Sequence, residues 1–255
     1  MKNEERLKVL IIDDNPQFYV TLKEEISKKH DVKIVTNLDD TYNVLVEGWD
    51  LFLVDLNIES EKDGFILIEH IQRKYKKSKI IVVTNDDSRE TTERVLSKRG
   101  YNVEDLFIKK KYLTEDWLDK INEICNEIKK NKKTYFISYS KTNKEFAFFI
   151  KKQLEEGCIG KVIIDKDSFK VGANLDSEIP KYIEVSDIFV LILSKSALSS
   201  KWVEKEIKFA LEEGKELRII KMEEFELPKK YKFNLSNIIY IPFYEYLENF
   251  MTKLE

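Results

Sequence analysis

Short apolar runs alternate with amphipathic stretches along the whole chain. The first half contains five such runs, at 9–13, 32–36, 51–55, 80–84 and 105–109. The second half contains five more, at 135–139, 161–165, 187–194, 217–221 and 237–241. Continuous runs of Val, Ile and Leu are typical of strands that are buried on both faces of a parallel sheet.

The stretches between these runs have helical periodicity, for example at 16–29, 64–76, 115–130, 143–156 and 201–213. Strands that alternate with helices favour a parallel sheet with helices on both faces. We therefore predict the α/β class, with two consecutive three-layer α/β domains, each built on a five-stranded parallel sheet.

A lysine-rich run at 129–133 separates the two sets of strands. A charge run of this kind is usually a solvated face or a linker. We expect one domain at 1–128 and a second at 134–255. Because the run contains neither Gly nor Pro, it can continue the preceding helix and form a stiff joint.

Composition narrows the function classes. The chain is 42% hydrophobic with a net charge of -3, which argues against a nucleic-acid partner because such proteins usually carry a basic surface. Cys125, Cys158, His30 and His70 are too few and too scattered for a disulfide framework or a zinc site. The charged N-terminus and the absence of a long apolar run predict no membrane partner and a cytoplasmic location.

Acidic and hydroxyl side chains stand at the ends of several predicted strands of the first half. Asp13 and Asp14 follow the first run, Asp55 ends the third and Thr84 ends the fourth. Ligands of open parallel sheets lie beyond the carboxyl ends of the strands, so we expect these side chains to converge. Clustered carboxylates repel one another unless a cation is present, and the hard ion that suits them is Mg²⁺.

This arrangement supports phosphoryl transfer to an aspartate. A carboxylate held beside Mg²⁺ can act as a nucleophile toward a phosphoryl group. A Lys at the end of the fifth strand can pair with one phosphoryl oxygen, and the Thr hydroxyl can donate to another.

Residues 5–128 resemble a response-regulator receiver domain of the flavodoxin-like type. The resemblance implies that a histidine kinase or a small phosphodonor supplies the phosphoryl group. It assigns Asp13 and Asp14 as the acidic pair that binds Mg²⁺, and Asp55 as both phospho-acceptor and metal ligand. It also assigns Asn57 as the residue whose carbonyl binds the metal and Thr84 as the switch hydroxyl. In FIKKKYLTEDW the aromatic Phe107 precedes Lys110 by three positions, as in receiver sequences, which points to Lys110. Lys109 remains open as the alternative.

One acid in the second half stands apart from its neighbours. The stretch SKWVEKEIKFALEEG predicts a helix whose apolar stripe contains Val203, Ile207, Ala210 and Leu211. Glu204 and Lys208 have the spacing of an ordinary surface pair. Glu206 has no cation three or four positions away and lies at the edge of the stripe. Helical spacing leaves two readings of it, a functional acid or a partly solvated glutamate.

Residues 134–255 are similar to Toll/interleukin receptor (TIR) domains. FISYSKTNKEFAFFIKKQLEEG matches the opening strand and helix, DKDSFKVGANL the mobile loop, and SDIFVLILSKSALSSKWVEKEI the third strand with the next helix. In TIR domains that cleave NAD⁺ the Glu of the last motif is catalytic, and here it is Glu206. The resemblance also implies contacts to NAD⁺ from Ser140, Lys141 and Lys170, although the two lysines also fit ordinary solvated loop residues. Trp202 is either an aromatic support for the ligand or a core residue at the helix start.

The two resemblances together imply a regulated enzyme. Phosphorylation of the receiver would promote self-association through both domains, and Glu206 would then cleave NAD⁺ to nicotinamide and linear or cyclic ADP-ribose. Two alternatives stay open: the TIR domain is a non-catalytic scaffold, or the phosphorylation is vestigial and another partner drives assembly.

Overall fold

The computed structural model describes residues 5–60, 63–85, 88–109, 115–157, 160–164, 175–235 and 240–242. The chain divides into two units, with the main division between Asn131 and Lys132. Lys129 and Lys130 belong to the last turn of a helix, and the next strand begins at Lys133. The lysine-rich run is therefore mostly helical in the structure.

The first unit alternates strands and helices. In chain order its elements are β1 (Lys8–Ile12), a 3-10 turn (Pro16–Tyr19), α1 (Val20–Ser27), β2 (Asp31–Val35), α2 (Leu38–Leu45), β3 (Leu51–Asp55), α3 (Asp63–Lys74), β4 (Lys79–Thr84), α4 (Arg89–Lys98), β5 (Asp105–Ile108) and α5 (Glu115–Asn131). The strands form a parallel sheet in the order β2-β1-β3-β4-β5.

The second unit repeats this architecture. Its elements are β6 (Lys133–Ser138), a 3-10 turn (Lys141–Asn143), α6 (Lys144–Glu156), β7 (Gly160–Ile164), α7 (Leu175–Glu184), β8 (Ile188–Leu193), α8 (Lys195–Leu198), α9 (Lys201–Glu212), β9 (Glu216–Lys221), α10 (Lys229–Leu235) and β10 (Tyr240–Pro242). The strand order is β10-β9-β8-β6-β7, and the paired strands are parallel.

Each sheet is covered by an apolar core on both faces. One core of the first sheet contains Leu10, Phe52 and Val82, while the other contains Ile11, Leu53 and the α5 residue Ile121. Alternate residues of one strand thus enter opposite cores, as a strand buried on both sides requires. The second sheet also has two cores. The predicted fold class, two three-layer α/β domains with parallel sheets, is confirmed.

Helices α2 and α4 show how polar caps define elements that have weak apolar patterns. The Asn37 side chain accepts a hydrogen bond from the backbone N–H of Asp40 at 2.8 Å, at the start of α2. Ser88 accepts from the N–H of Thr91 at 3.3 Å, at the start of α4. Such caps satisfy backbone donors that have no partner inside the helix.

Two further features of the described residues bear on the sequence predictions. None of the helices there combines the length and the apolar character that crossing a bilayer demands. Cys125 is a buried free thiol, and burial raises its pKa to about 11. Cys158 lies outside the described residues.

Gly64, in the first turn of α3, packs directly on the end of β3. Its N–H donates to the carbonyl of Leu56 at 3.1 Å, and a Cβ at this position would clash with the backbone of Asp55 and Leu56. A side chain here would push α3 away from the end of β3.

We predict that Gly64→Ala lowers the free energy of unfolding by about 1–3 kcal/mol and that Gly64→Leu lowers it further, because overpacking grows with side-chain size. Gly100 is the control. It has a φ of 71° and open space around it. Gly100→Ala and Gly100→Leu should therefore lower the free energy of unfolding by the same amount, about 1–2 kcal/mol. Denaturant unfolding measures both pairs, and equal costs for Ala and Leu at Gly64 would contradict the close contact.

Candidate functional site

Three carboxylates converge at the carboxyl edge of the first sheet. Asp13 follows β1 and Asp55 ends β3, and these strands are neighbours in the sheet. One oxygen each from Asp13, Asp14 and Asp55 can be chosen so that all three lie within 4.8 Å of one another. Asp13 and Asp55 are buried, whereas Asp14 is exposed. The structure therefore brings together the acids that the sequence predicted to converge.

Lys109 is the cation of this cluster. It follows β5, its side chain is buried, and its Nζ lies 2.6 Å from Asp13 Oδ2 and 2.7 Å from Asp55 Oδ2. Lys109 was the alternative left open by the sequence. Lys110, which the aromatic spacing favoured, lies outside the described residues.

Backbone and side-chain donors hold the acids in place. Asp13 Oδ1 accepts a hydrogen bond from the N–H of Asn15 at 2.9 Å, and Asp13 Oδ2 accepts one from the Tyr19 hydroxyl at 2.6 Å. The N–H of Asn57 donates to Asp55 Oδ1 at 3.3 Å. The sequence singled out Asn57 but not Tyr19.

Thr84 ends β4 at the same edge of the sheet. Asp55 is in register with Val83, so Thr84 stands one residue beyond the partner of the predicted phospho-acceptor. Its side chain is buried. This location agrees with the predicted switch hydroxyl, and that role stays a prediction.

Among the described residues, the acids of the cluster outnumber its cations. Burial raises the pKa of the Asp55 carboxyl above its ordinary value, although the Lys109 hydrogen bond acts in the opposite direction. Burial disfavours the Lys109 charge, yet the hydrogen bonds to Asp13 and Asp55 raise its pKa overall. Both shifts have the sign expected where two buried carboxylates share one ammonium group.

A divalent cation suits this excess of negative charge. The available donors are carboxylate oxygens, which hard ions such as Mg²⁺ prefer. Asp13, Asp14 and Asp55, with the Asn57 carbonyl, could hold the ion.

Glu206 lies in the second unit and is buried, with 2% of its surface exposed. Ser138, which ends β6, donates its hydroxyl to Glu206 Oε2 at 2.5 Å. The reading as a partly solvated glutamate is therefore wrong. The reason is that α9 packs Glu206 toward the sheet together with Val203 and Ile207.

The surface pair expected on this helix is also different. Glu204 accepts from Lys230 of α10 at 2.7 Å, and Lys208 pairs with Glu212 at 3.7 Å. Helical spacing allowed a Glu204–Lys208 pair, but a lysine from a neighbouring helix reaches Glu204 instead.

A cavity of about 580 Å³ opens beside α9. Its described lining contains the predicted ligand contacts Ser140, Lys141 and Trp202, with Tyr139, Thr142, Lys144, Ser196 and Ser200. A smaller cavity of about 50 Å³ contains Glu206 among apolar side chains and Lys205. Trp202 lines both cavities, so it joins the predicted catalytic acid to the larger space. Lys170 and most of the loop predicted to be mobile lie outside the described residues.

Hydroxyl groups cluster on one wall of the larger cavity. Ser140, Thr142 and Ser196 lie pairwise 2.6–2.7 Å apart, oxygen to oxygen. Asn143 Oδ1 accepts from Ser140 at 3.0 Å and from Ser194 at 2.8 Å. The sequence analysis found only Ser140. Polar residues that directly follow β6 and β8 were the available signal for the others.

Two family models match the chain, one in each half. A family described as "Response regulator receiver domain" matches residues 9–122, and one described as "TIR domain" matches residues 136–254. Residues 9–122 are thus a receiver domain and residues 136–254 a TIR domain. Receiver domains take phosphoryl groups from kinases and typically bind Mg²⁺, while TIR domains self-associate. No curated protein matches the chain.

Several solved structures are similar to one half of the chain each. A receiver domain protein from Methanospirillum hungatei shares 23% identity at a TM-score of 0.42 and covers 48% of this chain and 96% of its own. A response regulator from Thermotoga maritima shares 19% at 0.40, covering 47% and 98%. The TIR domain of a Toll-related receptor from Hydra magnipapillata shares 17% at 0.41, covering 47% and 93%.

Proposed function

We propose that this chain is a phosphorylation-regulated NAD⁺ hydrolase, in which the receiver accepts a phosphoryl group on Asp55 and the TIR domain cleaves NAD⁺ with Glu206. The observation that carries the first half is the ion-pair cluster of Lys109 with Asp13 and Asp55. The NAD⁺-cleaving part of the proposal is supported by the position of Glu206. Trp202 lines the small cavity of Glu206 and also the larger cavity, which is lined by lysines and hydroxyl groups. A cytoplasmic location, expected from the sequence, stays a prediction.

Phosphoryl transfer uses Asp55 as the nucleophile. An Asp55 carboxylate oxygen attacks the phosphorus of a phosphohistidine or of a small donor such as acetyl phosphate, and the bond to the donor breaks with its electron pair leaving on the donor. Bound Mg²⁺ would offset the charge of the transferred group. Lys109 pairs with a phosphoryl oxygen, because its Nζ already reaches Asp55. Thr84 donates to another phosphoryl oxygen.

We predict that acetyl phosphate with Mg²⁺ adds one phosphoryl group to the chain and that Asp55→Asn prevents it. Lys109→Ala should slow the reaction by about tenfold or more, because a buried charge-assisted hydrogen bond is lost. Lys110→Ala is the matched control and tests the alternative assignment of the lysine. Intact mass measured over time gives the rates. A larger effect at Lys110 than at Lys109 would reverse the assignment.

Cleavage of NAD⁺ requires stabilisation of a cation. The bond between the ribose carbon and nicotinamide breaks with its electron pair on the nicotinamide nitrogen, which leaves neutral, and water adds to the ribose with loss of a proton. The transition state has oxocarbenium character, as in glycoside hydrolysis, and a nearby carboxylate stabilises it electrostatically. Glu206 supplies that carboxylate.

The larger cavity has the chemistry to hold the rest of NAD⁺. Lys141 and Lys144 bring positive charge toward a diphosphate, and no carboxylate is among its described lining residues. The hydroxyls of Ser140 and Ser196 can donate to phosphate oxygens. Trp202, with 37% of its surface exposed, offers an aromatic face between this cavity and Glu206.

We predict that Glu206→Gln lowers nicotinamide release by at least about a hundredfold, because the electrostatic contribution of the carboxylate disappears while its size is kept. Glu204→Gln is the control. It lies on the same helix, but it is exposed and its bond to Lys230 contributes little. Nicotinamide release from NAD⁺ measures activity, and thermal unfolding confirms the fold. Equal activity in wild type and Glu206→Gln would refute the catalytic role.

A second function is a non-catalytic TIR scaffold under receiver control. The burial of Glu206 and its bond to Ser138 favour this candidate, since both would serve a purely structural glutamate. Wild-type protein that never releases nicotinamide, whether phosphorylated or not, would select the scaffold.

Regulation acts through assembly in this proposal. Phosphorylation can only shift an equilibrium between states, because the modified Asp55 and Glu206 belong to different domains. Self-association of receivers raises the effective concentration of the attached TIR domains. The TIR domains then associate and become active.

A further inference from the structure

Tyr19 is a fully buried tyrosine whose hydroxyl donates a hydrogen bond to the acidic cluster. It ends the 3-10 turn Pro16–Tyr19 after β1, and 0% of its surface is exposed. Its hydroxyl lies 2.6 Å from Asp13 Oδ2, the oxygen that also pairs with Lys109. The hydroxyl is the donor in this contact, because an ionised carboxylate only accepts hydrogen bonds.

Asp13 is already engaged by three donors of the protein. Its Oδ1 takes the N–H of Asn15, and its Oδ2 takes both Tyr19 and Lys109. Asp14 differs, since it is exposed and no described residue donates a hydrogen bond to it. An entering cation thus finds Asp14 open, whereas Asp13 is already engaged by the protein.

The Lys109 contact is the part of this arrangement that must change. Its Nζ lies between Asp13 and Asp55, and a phosphoryl group on Asp55 brings additional negative charge that attracts it. When Lys109 turns to the phosphoryl group, a buried carboxylate at Asp13 loses its cation. A buried charge without hydrogen bonds is costly, so a second donor on the same oxygen lowers the cost of the move.

We propose that Tyr19 is a positioning residue for phosphoryl transfer: it holds Asp13 through the hydroxyl and releases Lys109 for the phosphoryl group. This inference rests on the proposed phosphorylation of Asp55. The proposal gives a role to the Tyr19 hydroxyl oxygen. Packing does not require this oxygen, because a phenylalanine would fill the same space beside Phe18, whose ring centroid is 5.1 Å away.

The test is Tyr19→Phe, which removes that oxygen and keeps the ring. Tyr75→Phe is the matched control, because Tyr75 is also buried in the receiver and its hydroxyl donates to the carbonyl of Leu45, outside the acidic cluster. Two quantities are measured for each variant, the rate of phosphorylation by acetyl phosphate at saturating Mg²⁺ and the affinity for Mg²⁺ by calorimetry.

We expect Tyr19→Phe to be phosphorylated about five- to tenfold more slowly, the size of effect that the loss of one ordinary hydrogen bond produces. Mg²⁺ should bind about threefold more tightly, because Asp13 Oδ2 loses a competing donor and gains negative charge density. Tyr75→Phe should match wild type in both quantities. A general loosening of the site would instead weaken both metal binding and phosphorylation, and that result would overturn the proposal.

Coupling to Asp13 is tested with a double mutant. In an Asp13→Asn background, Tyr19→Phe should cause no further slowing, because residues that act through one another are not additive. The same slowing in both backgrounds, or a wild-type rate in Tyr19→Phe, would refute the positioning role. If the wild-type chain accepts no phosphoryl group, the proposed receiver function fails and the role of Tyr19 in phosphoryl transfer fails with it. If the wild type is phosphorylated and Tyr19→Phe reacts at an unchanged rate, the role of Tyr19 alone is refuted.

Discussion

The carboxyl ends of parallel strands meet at one edge of a sheet, and both candidate sites depend on this constraint. In the first domain β1 and β3 are neighbours, so the acids at their ends are forced together. In the second domain β6 lies between β7 and β8, as β1 lies between β2 and β3, and Ser138 at its end contacts Glu206. One topology, used twice, thus places different chemistry at equivalent edges.

The buried carboxylates of the two sites are stabilised by different groups. Asp13 and Asp55 share one ammonium group and accept donors from the surrounding loop, yet the cluster keeps an excess of negative charge that suits a divalent cation. Glu206 is held by the neutral hydroxyl of Ser138, with cations on the wall of the adjacent cavity. In the proposed function the first site takes a metal and a phosphoryl group. The second takes an organic ligand with positive charge at the reacting carbon and phosphates farther away.

Much of this organisation could be predicted from the sequence. Apolar runs located the strands closely, and β3 was predicted with its observed limits, 51–55. The strand-end acids were predicted as a cluster because topology alone determines their convergence. Contacts that depend on the length and direction of a single side chain were harder to predict. The aromatic spacing favoured Lys110, whereas the structure brings Lys109 to the acids. In the sequence Tyr19 is indistinguishable from the other apolar positions, and only the structure shows its hydroxyl bonded to Asp13.

The same limit applies to the TIR domain. Helical spacing placed Glu206 at the edge of an apolar stripe, but only the packing of α9 against the sheet shows that it is buried. The partner of Glu204 comes from α10, which local spacing cannot reveal. The hydroxyl cluster around Asn143 joins residues about 50 positions apart, and its members are ordinary loop residues in the sequence.

The central claim is that phosphorylation in one domain controls chemistry in the other. Its most direct measurement follows particle size by light scattering and nicotinamide release in the same samples of wild-type and Asp55→Asn protein, with Mg²⁺ and with or without acetyl phosphate. Our account predicts that the phosphodonor raises both quantities together in the wild type and neither in Asp55→Asn. Activity per chain that is independent of phosphorylation and of protein concentration would contradict it.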